Sequence, residues 1–210
     1  MNSFINKIGL SKFIALDLET TGLNSENDKI IEISAYKFYD GKPTESFTQL
    51  INPQIAISST TTKITGITDS MLKNKPLFKD IKNKFIEYIQ DFPIVGHNVK
   101  FDLAFLKNNI DDYSLLFDNR MVCDTYYLSK IFYYYLSSFS LSSLCQVLNI
   151  PIVEAHRAEA DAKNSGLLFL KLIQEKLFNS NLTTMQRLKS STKHIENAIN
   201  SQLFNNIINY

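Results

Sequence analysis

The hydrophobic pattern predicts a mixed α/β fold: strand-like runs come first, helical periodicities follow, and a short apolar strand returns between helices. Residues 12–18, KFIALDL, are short and apolar and end at the turn signal T-T-G, as a central strand does. In 30–39, IIEISAYKFY, Ile31, Ile33 and Ala35 fall on one face, with Glu32 and Ser34 on the other. Asp40-Gly41 is a hairpin signal and 44–52 the returning strand, so the first three strands form an antiparallel meander. The stretch 58–68 is rich in Ser and Thr and reads as a loop.

The period then changes. Phe78, Ile81, Phe85 and Ile89 recur at three or four residues and predict an amphipathic helix over 77–91. PIVG at 93–96 is a short buried strand, 101–109 a helix and 120–124 a further short strand. Aromatic-rich helices are expected at 125–135 and 140–148, the second capped by Ser140. A long helix covers 158–177, with Leu167, Leu170, Ile173 and Leu177 as its core stripe. From Asn181 the composition turns to Asn, Ser and Lys, yet Ile195, Ile199, Leu203 and Ile207 keep helical spacing. That tail is expected to be one helix docked on the body or on a partner, and Gln202-Leu203-Phe204 faintly resembles a sliding-clamp-binding peptide.

At 210 residues the chain is long enough for one domain with a full core and a small appendage. A net charge of +1 excludes a global basic field but leaves room for a basic rim around an acidic pocket. The two cysteines, Cys123 and Cys145, fit neither a metal spacing nor a disulfide framework, so both are expected reduced and buried. The segment MNSFINKIGLSKF lacks the apolar run of a signal peptide, and no stretch approaches the ~18 apolar residues of a membrane span. A cytoplasmic protein is expected.

Three short segments carry chemistry. In Asp17-Leu18-Glu19, alternate strand residues put two carboxylates on one face, roughly 7 Å apart between Cα atoms. Carboxylates ending an apolar strand are costly unless they meet cations, although a solvated strand end is the plainer reading of the pair alone. The following Thr20-Thr21-Gly22 turn exposes backbone N–H groups where a nucleotide end could approach. His97-Asn98-Val99-Lys100-Phe101-Asp102 follows the PIVG strand and opens a helix, with Asp102 in its first turn, where the dipole favours an acid. In His156-Arg157-Ala158-Glu159-Ala160-Asp161, five helical residues would leave His156 and Asp161 roughly 140° out of line. His156 is therefore expected on the loop before the helix and Asp161 one turn inside it. Taken together, four carboxylates and a histidine supply what two divalent ions about 4 Å apart need for phosphodiester hydrolysis.

DLETTGL, HNVKFD and HRAEAD, in this order and at these separations, resemble the three motifs of the DEDDh (DnaQ-like) exonucleases. This family includes the proofreading exonuclease (epsilon) subunit of bacterial DNA polymerase III and free-standing homologues. The likeness covers about residues 11–177, and IIEISA and ITGIT look like the family's second strand and following loop. It implies a ribonuclease H-like five-stranded sheet flanked by helices over residues 1–178, with 179–210 a C-terminal helical tail. By matching position it implies that Asp17 bridges two divalent cations, Mg²⁺ or Mn²⁺. Glu19 and Asp161 hold the ion that binds the nucleophilic water, Asp102 supports the other through water, and His156 deprotonates the nucleophile.

The 3′-terminal nucleotide is expected on the Thr20-Thr21-Gly22-Leu23 turn, with Leu23 wedged against the last base. Asn98 either reaches a phosphate or caps its helix, and Phe101 either shapes the pocket or joins the core. His97 and His194 read as structural and surface residues. Lys100, Arg157 and Lys163 are candidates for the basic rim, and the aromatic run 132–135 for packing. The expected activity is 3′→5′ hydrolysis of single-stranded or frayed DNA ends to nucleoside 5′-monophosphates, in proofreading or repair beside a polymerase subunit. RNA 3′-end trimming is the alternative within the same chemistry, and a silent binding module the alternative outside it. The intact acid set argues against the silent module, which has no use for bare carboxylates beside phosphates.

Overall fold

The computed structural model describes residues 2–151, 157–177 and 200–208. The chain begins with α1 (Asn2–Lys7) and continues into the meander β1 (Lys12–Thr20), β2 (Ile30–Tyr39) and β3 (Lys42–Leu50). Asp40 and Gly41 have φ of 47° and 76°, the double left-handed turn that matches the twist of a tight hairpin. Two short strands, β4 (Ile94–Gly96) and β5 (Val122–Asp124), join parallel to β1, giving the five-stranded order β3-β2-β1-β4-β5.

Helices cover both faces, as the sequence pattern requires. On one side α4 (Phe78–Ile89) buries the predicted stripe Phe78, Ile81, Phe85 and Ile89 beneath Ile14, Leu16, Ile33 and Ala35. The same layer holds α5 (Lys100–Lys107) and α6 (Tyr113–Phe117), through Phe105 and Phe117. On the other side lie α7 (Thr125–Phe132), α8 (Leu141–Val147) and the long α9 (Ala158–Leu172), which ends in a π-helical turn, Ile173–Leu177. Ser140 caps α8 as expected, its Oγ accepting from the Ser143 N–H.

Because both faces of the sheet are covered, Glu32 and Ser34 are fully buried rather than facing water. Of the expected stripe, Leu170 and Ile173 are buried in the core, and a further series, Ala158, Ala162, Ser165, Phe169 and Leu172, is buried beside them. Small residues there let the helix lie close on the sheet, and Leu167 is only half-buried. At Gly166 a methyl group would sit 2.4 Å from the Phe38 ring, so glycine is needed for that approach. Phe38 in turn stacks on Phe13 at 4.7 Å between centroids.

The Ser/Thr-rich stretch expected as a loop contains α2 (Ser59–Thr65), followed by α3 (Asp69–Leu72). Ser58 caps α2 through Thr61 N–H, and Gly66, at φ 71°, closes it by donating to Thr62 O. Its buried residues are Thr61 and Thr65, whose hydroxyls are hydrogen-bonded, so no apolar period betrays the helix. The aromatic run splits where α7 ends: Tyr133 is buried, whereas Tyr134 and Tyr135 are exposed.

Of the tail, α10 (Ser201–Ile208) is described, while Ile195 and Ile199 lie outside the described residues. Leu203 and Phe204 are fully buried and Ile207 nearly so, in one cluster with Phe4, Ile5, Ile8 and Leu170. This packing places Leu203 and Phe204 out of reach of a clamp. Asn200, at φ 64°, completes the free edge of β5: its N–H donates to Val122 O, and its Oδ1 accepts from Asp124 N–H at 2.8 Å. No helix among the described residues is long and apolar enough to cross a membrane.

Candidate active site

One face of β1 builds the site. Phe13, Ala15, Asp17 and Glu19 alternate onto the side covered by α9, paired across β2 with Phe38, Tyr36, Ser34 and Glu32. The apolar end of this row packs on Phe169 and Gly166 of α9. Moving two residues along β1 from Ala15 to Asp17 covers roughly 7 Å, and five along α9 from Gly166 to Asp161 covers about the same. The two elements therefore carry their carboxylates to the same level.

Asp17, Glu19 and Asp161 each offer an oxygen, and these atoms lie within 4.8 Å of one another. Asp102 stands outside that trio, buried in the first turn of α5, with its Oδ1 accepting the Leu18 N–H at 2.9 Å. Burial is the largest cause raising the Asp17 carboxyl well above its ordinary range, followed by the charges of Asp102, Glu19, Asp161 and Glu32. Burial and then Asp161 and Glu32 push Glu19 up to about 7, against which Arg157 acts. Asp102 is likewise raised, by burial, although backbone N–H groups hold it back. Although Asp17 and Glu19 keep some open surface, the surrounding protein strips enough water from them to make their joint charge costly. Hard oxygen donors, closely spaced and repelling one another, fit a divalent cation, which would remove the cost.

His156 lies outside the described residues; α9 begins at Ala158, with Arg157 as its N-cap, and Asp161 is in the first turn. The Thr20–Leu23 turn is held from three sides. Thr20 Oγ1 donates to Gly22 O, Thr21 Oγ1 donates to Asp28, and Thr61 Oγ1 of α2 donates to Thr21 O. A methyl at Gly22 would lie 2.5 Å from the Asp28 carboxyl, so this turn closes only around glycine. Leu23 projects beyond it, 87% exposed. Phe101 is half-buried against Phe105, 4.9 Å between centroids, at the rim of the α4–α5 core. Asn98 does not cap α5: it is exposed, at φ 62°, and no side chain caps that helix.

The backbone N–H of Asn98 is held instead by Asp124 Oδ1 at 3.0 Å, a buried acid overlooked in the expected strand 120–124. Among the rim candidates, Lys100 lies over the Tyr127 ring, Lys163 over Tyr36, and Arg157 binds Glu32. His194 lies outside the described residues. Both cysteines are free and buried, with thiols pushed up by burial.

His97 is structural, as its turn position suggests. Its Nε2 donates to Phe139 O and its Nδ1 meets Thr125 Oγ1, both at 2.9 Å. Burial lowers its pKa to about 4. Between that value and the unfolded value near 6.5, only the unfolded chain binds the proton, so this contribution is complete above pH 6.5 and lost as pH falls toward 4. Unfolding free energies of wild type and His97→Asn are expected to differ by about 3 kcal/mol less at pH 4 than at pH 7, by denaturant titration.

The mixed five-stranded sheet flanked by helices is a ribonuclease H-like α/β fold, with the acid cluster set between a strand end and a helix start. A family model described as Exonuclease (RNase_T) matches residues 14–169, and the chain belongs to that family, whose members are 3′→5′ exonucleases. It is 37% identical over 179 residues to the DNA polymerase III PolC-type of Caldanaerobacter subterraneus subsp. tengcongensis, covering 85% of this chain and 13% of that relative. The chain thus spans a small part of this relative's length. Its fold resembles exonuclease X in complex with 5′ overhanging duplex DNA (TM-score 0.63, 22% identity, 79% of this chain and 92% of that one). It also resembles the nuclease domain of 3′hExo, a DEDDh family member bound to rAMP (TM-score 0.64, 17% identity, 79% and 93%).

Proposed function

We propose that this chain removes nucleotides from the 3′ ends of single-stranded or frayed DNA, releasing nucleoside 5′-monophosphates, as a proofreading or repair activity beside a polymerase. The observation that carries the chemistry is the trio Asp17, Glu19 and Asp161, with oxygens within 4.8 Å and carboxyls raised by burial and mutual repulsion. Likeness to a DNA polymerase III chain supports DNA over RNA. Two divalent cations, Mg²⁺ or Mn²⁺, would activate the attacking water and stabilise the charge of the transition state. Asp17, Glu19 and Asp161 would hold them, with Asp102 in support.

His156 accepts the proton of the attacking water. The braced Thr20–Leu23 turn receives the terminal nucleotide: a backbone N–H holds the 3′-hydroxyl, and exposed Leu23 wedges against the last base. Asn98, exposed beside Asp102, reaches a phosphate, and Phe101 closes the pocket floor. The domain is assigned to residues 1–178 and the tail to 179–210, with 200–208 packed into the domain's core. Free buried thiols support a reducing, cytoplasmic setting.

The test is a 5′-labelled strand in DNA and RNA form, incubated with Mg²⁺ or Mn²⁺ and either wild type or Asp17→Ala. A ladder on DNA from wild type alone is expected. A ladder on RNA alone would make it a trimming exoribonuclease, and none on either, with both proteins alike, would leave a silent module.

A further inference from the structure

Glu32 is a fifth acid at the site, and it is not in the trio. It sits directly opposite Glu19 across β1 and β2, with its side chain 1% exposed. Like charges directly opposite in a sheet are destabilising, and a buried carboxylate needs partners for both oxygens. Among the described residues, Glu32 finds them in the third motif. Its Oε1 accepts from Arg157 Nη2 at 2.6 Å, and its Oε2 accepts from Arg157 Nε at 3.2 Å and from the Ala158 backbone N–H at 3.1 Å. Arg157 is the N-cap residue of α9, but its own side chain does not cap that helix. The acid that satisfies the first free N–H of α9 thus comes from β2, more than a hundred residues earlier in the chain.

We propose that Glu32 is a positioning residue for catalysis: by clamping Arg157 and the Ala158 N–H, it fixes the helix start that carries Asp161. The geometry separates two kinds of acid on one strand pair. Glu19 is left to face the cation site, whereas Glu32 has both oxygens committed to the clamp. One fork therefore holds the third motif against β2. An arginine is suited to this because it engages both oxygens at once, which a lysine cannot do.

The inference rests on the exonuclease reading of the site, and its test separates the two. Glu32→Gln, Arg157→Ala and the double variant are compared with wild type. Two readouts are used: kcat and KM on 5′-labelled single-stranded DNA with saturating Mn²⁺, and amide hydrogen exchange over residues 157–162 without metal. Each single variant is expected to lose about 10- to 100-fold in kcat with KM within about twofold, because the Asp161 carboxylate is misplaced while substrate contacts stay intact. Exchange over 157–162 should rise in both, and the double variant should be no slower than the worse single, since both break one clamp.

The Arg157 side chain is 46% exposed, so Arg157→Ala keeps the test open if Glu32→Gln fails to fold. Losses that multiply, a loss carried by KM, or unchanged exchange would overturn the assignment. A wild type that makes no ladder would refute the exonuclease reading alone, and the exchange data would still decide whether Glu32 holds the motif.

Discussion

Asp17→Asn is expected to abolish hydrolysis, by on the order of 10²–10³-fold or more, while making the metal-free protein more stable. Asp17 is the acid most burdened by its surroundings: burial, Asp102, Glu19, Asp161 and Glu32 all raise its pKa. A carboxyl with a raised folded-state pKa binds its proton more tightly folded than unfolded. Its contribution is therefore present at low pH and lost as pH climbs above the unfolded value of 3.8 and through the folded one. At neutral pH the metal-free fold bears the resulting repulsion, and asparagine keeps the shape of the side chain while removing its charge. A rise of roughly 4 °C or more in the melting temperature of the metal-free variant is expected by scanning calorimetry. Mn²⁺ should raise the wild-type midpoint, since it binds the folded state alone, and should raise that of the variant far less. A variant that melts below wild type without metal would contradict this reading of the cluster.

Phe204→Ala is expected to cost about 3–5 kcal/mol, enough to lower the melting temperature by roughly 10 °C. Phe204 is fully buried, and its cluster joins α1, α9 and the sheet face behind Phe13 and Phe38. Removing the ring leaves a cavity in the main core rather than a loosened appendage. The same reasoning gives residues 200–208 a part in the site. Asn200 holds β5, and Asp124 at the end of β5 holds the Asn98 N–H just ahead of the helix that carries Asp102. Leu23→Ala, far from this cluster and exposed, should leave the melting temperature unchanged within about 1 °C. Equal melting of wild type and Phe204→Ala would show that the tail helix is dispensable to the core.

Much of this was legible in the residues. The period of Phe78, Ile81, Phe85 and Ile89 and the Asp40-Gly41 turn follow from local physics, and the structure reproduces both. Asp17 and Glu19 had to share a face because strand side chains alternate. What stayed hidden depended on partners distant in the chain. The alternation put Glu32 and Ser34 on one face, but nothing local announces that α9 covers that face and buries both. An acid inside the apolar run IIEISA was a signal, since burial there demands a cation, but its partner Arg157 is 125 residues away. Helix α2 escaped because its buried faces are threonines, whose hydroxyls find partners only in the folded chain. Of the two readings of Asn98, phosphate contact or cap, the cap fails, because the left-handed backbone at its position sends its N–H to Asp124 instead.

Asp17, Glu19, Asp102 and Asp161 are expected to hold divalent cations with which the terminal phosphodiester bond is hydrolysed from the 3′ side. The most direct measurement is product analysis by mass spectrometry after brief digestion of a single-stranded oligonucleotide with Mn²⁺. Nucleoside 5′-monophosphates and chains shortened one residue at a time from the 3′ end are expected, with none formed in chelator or by Asp161→Asn. Internal fragments, nucleoside 3′-monophosphates, or equal product in the presence of chelator would contradict this assignment.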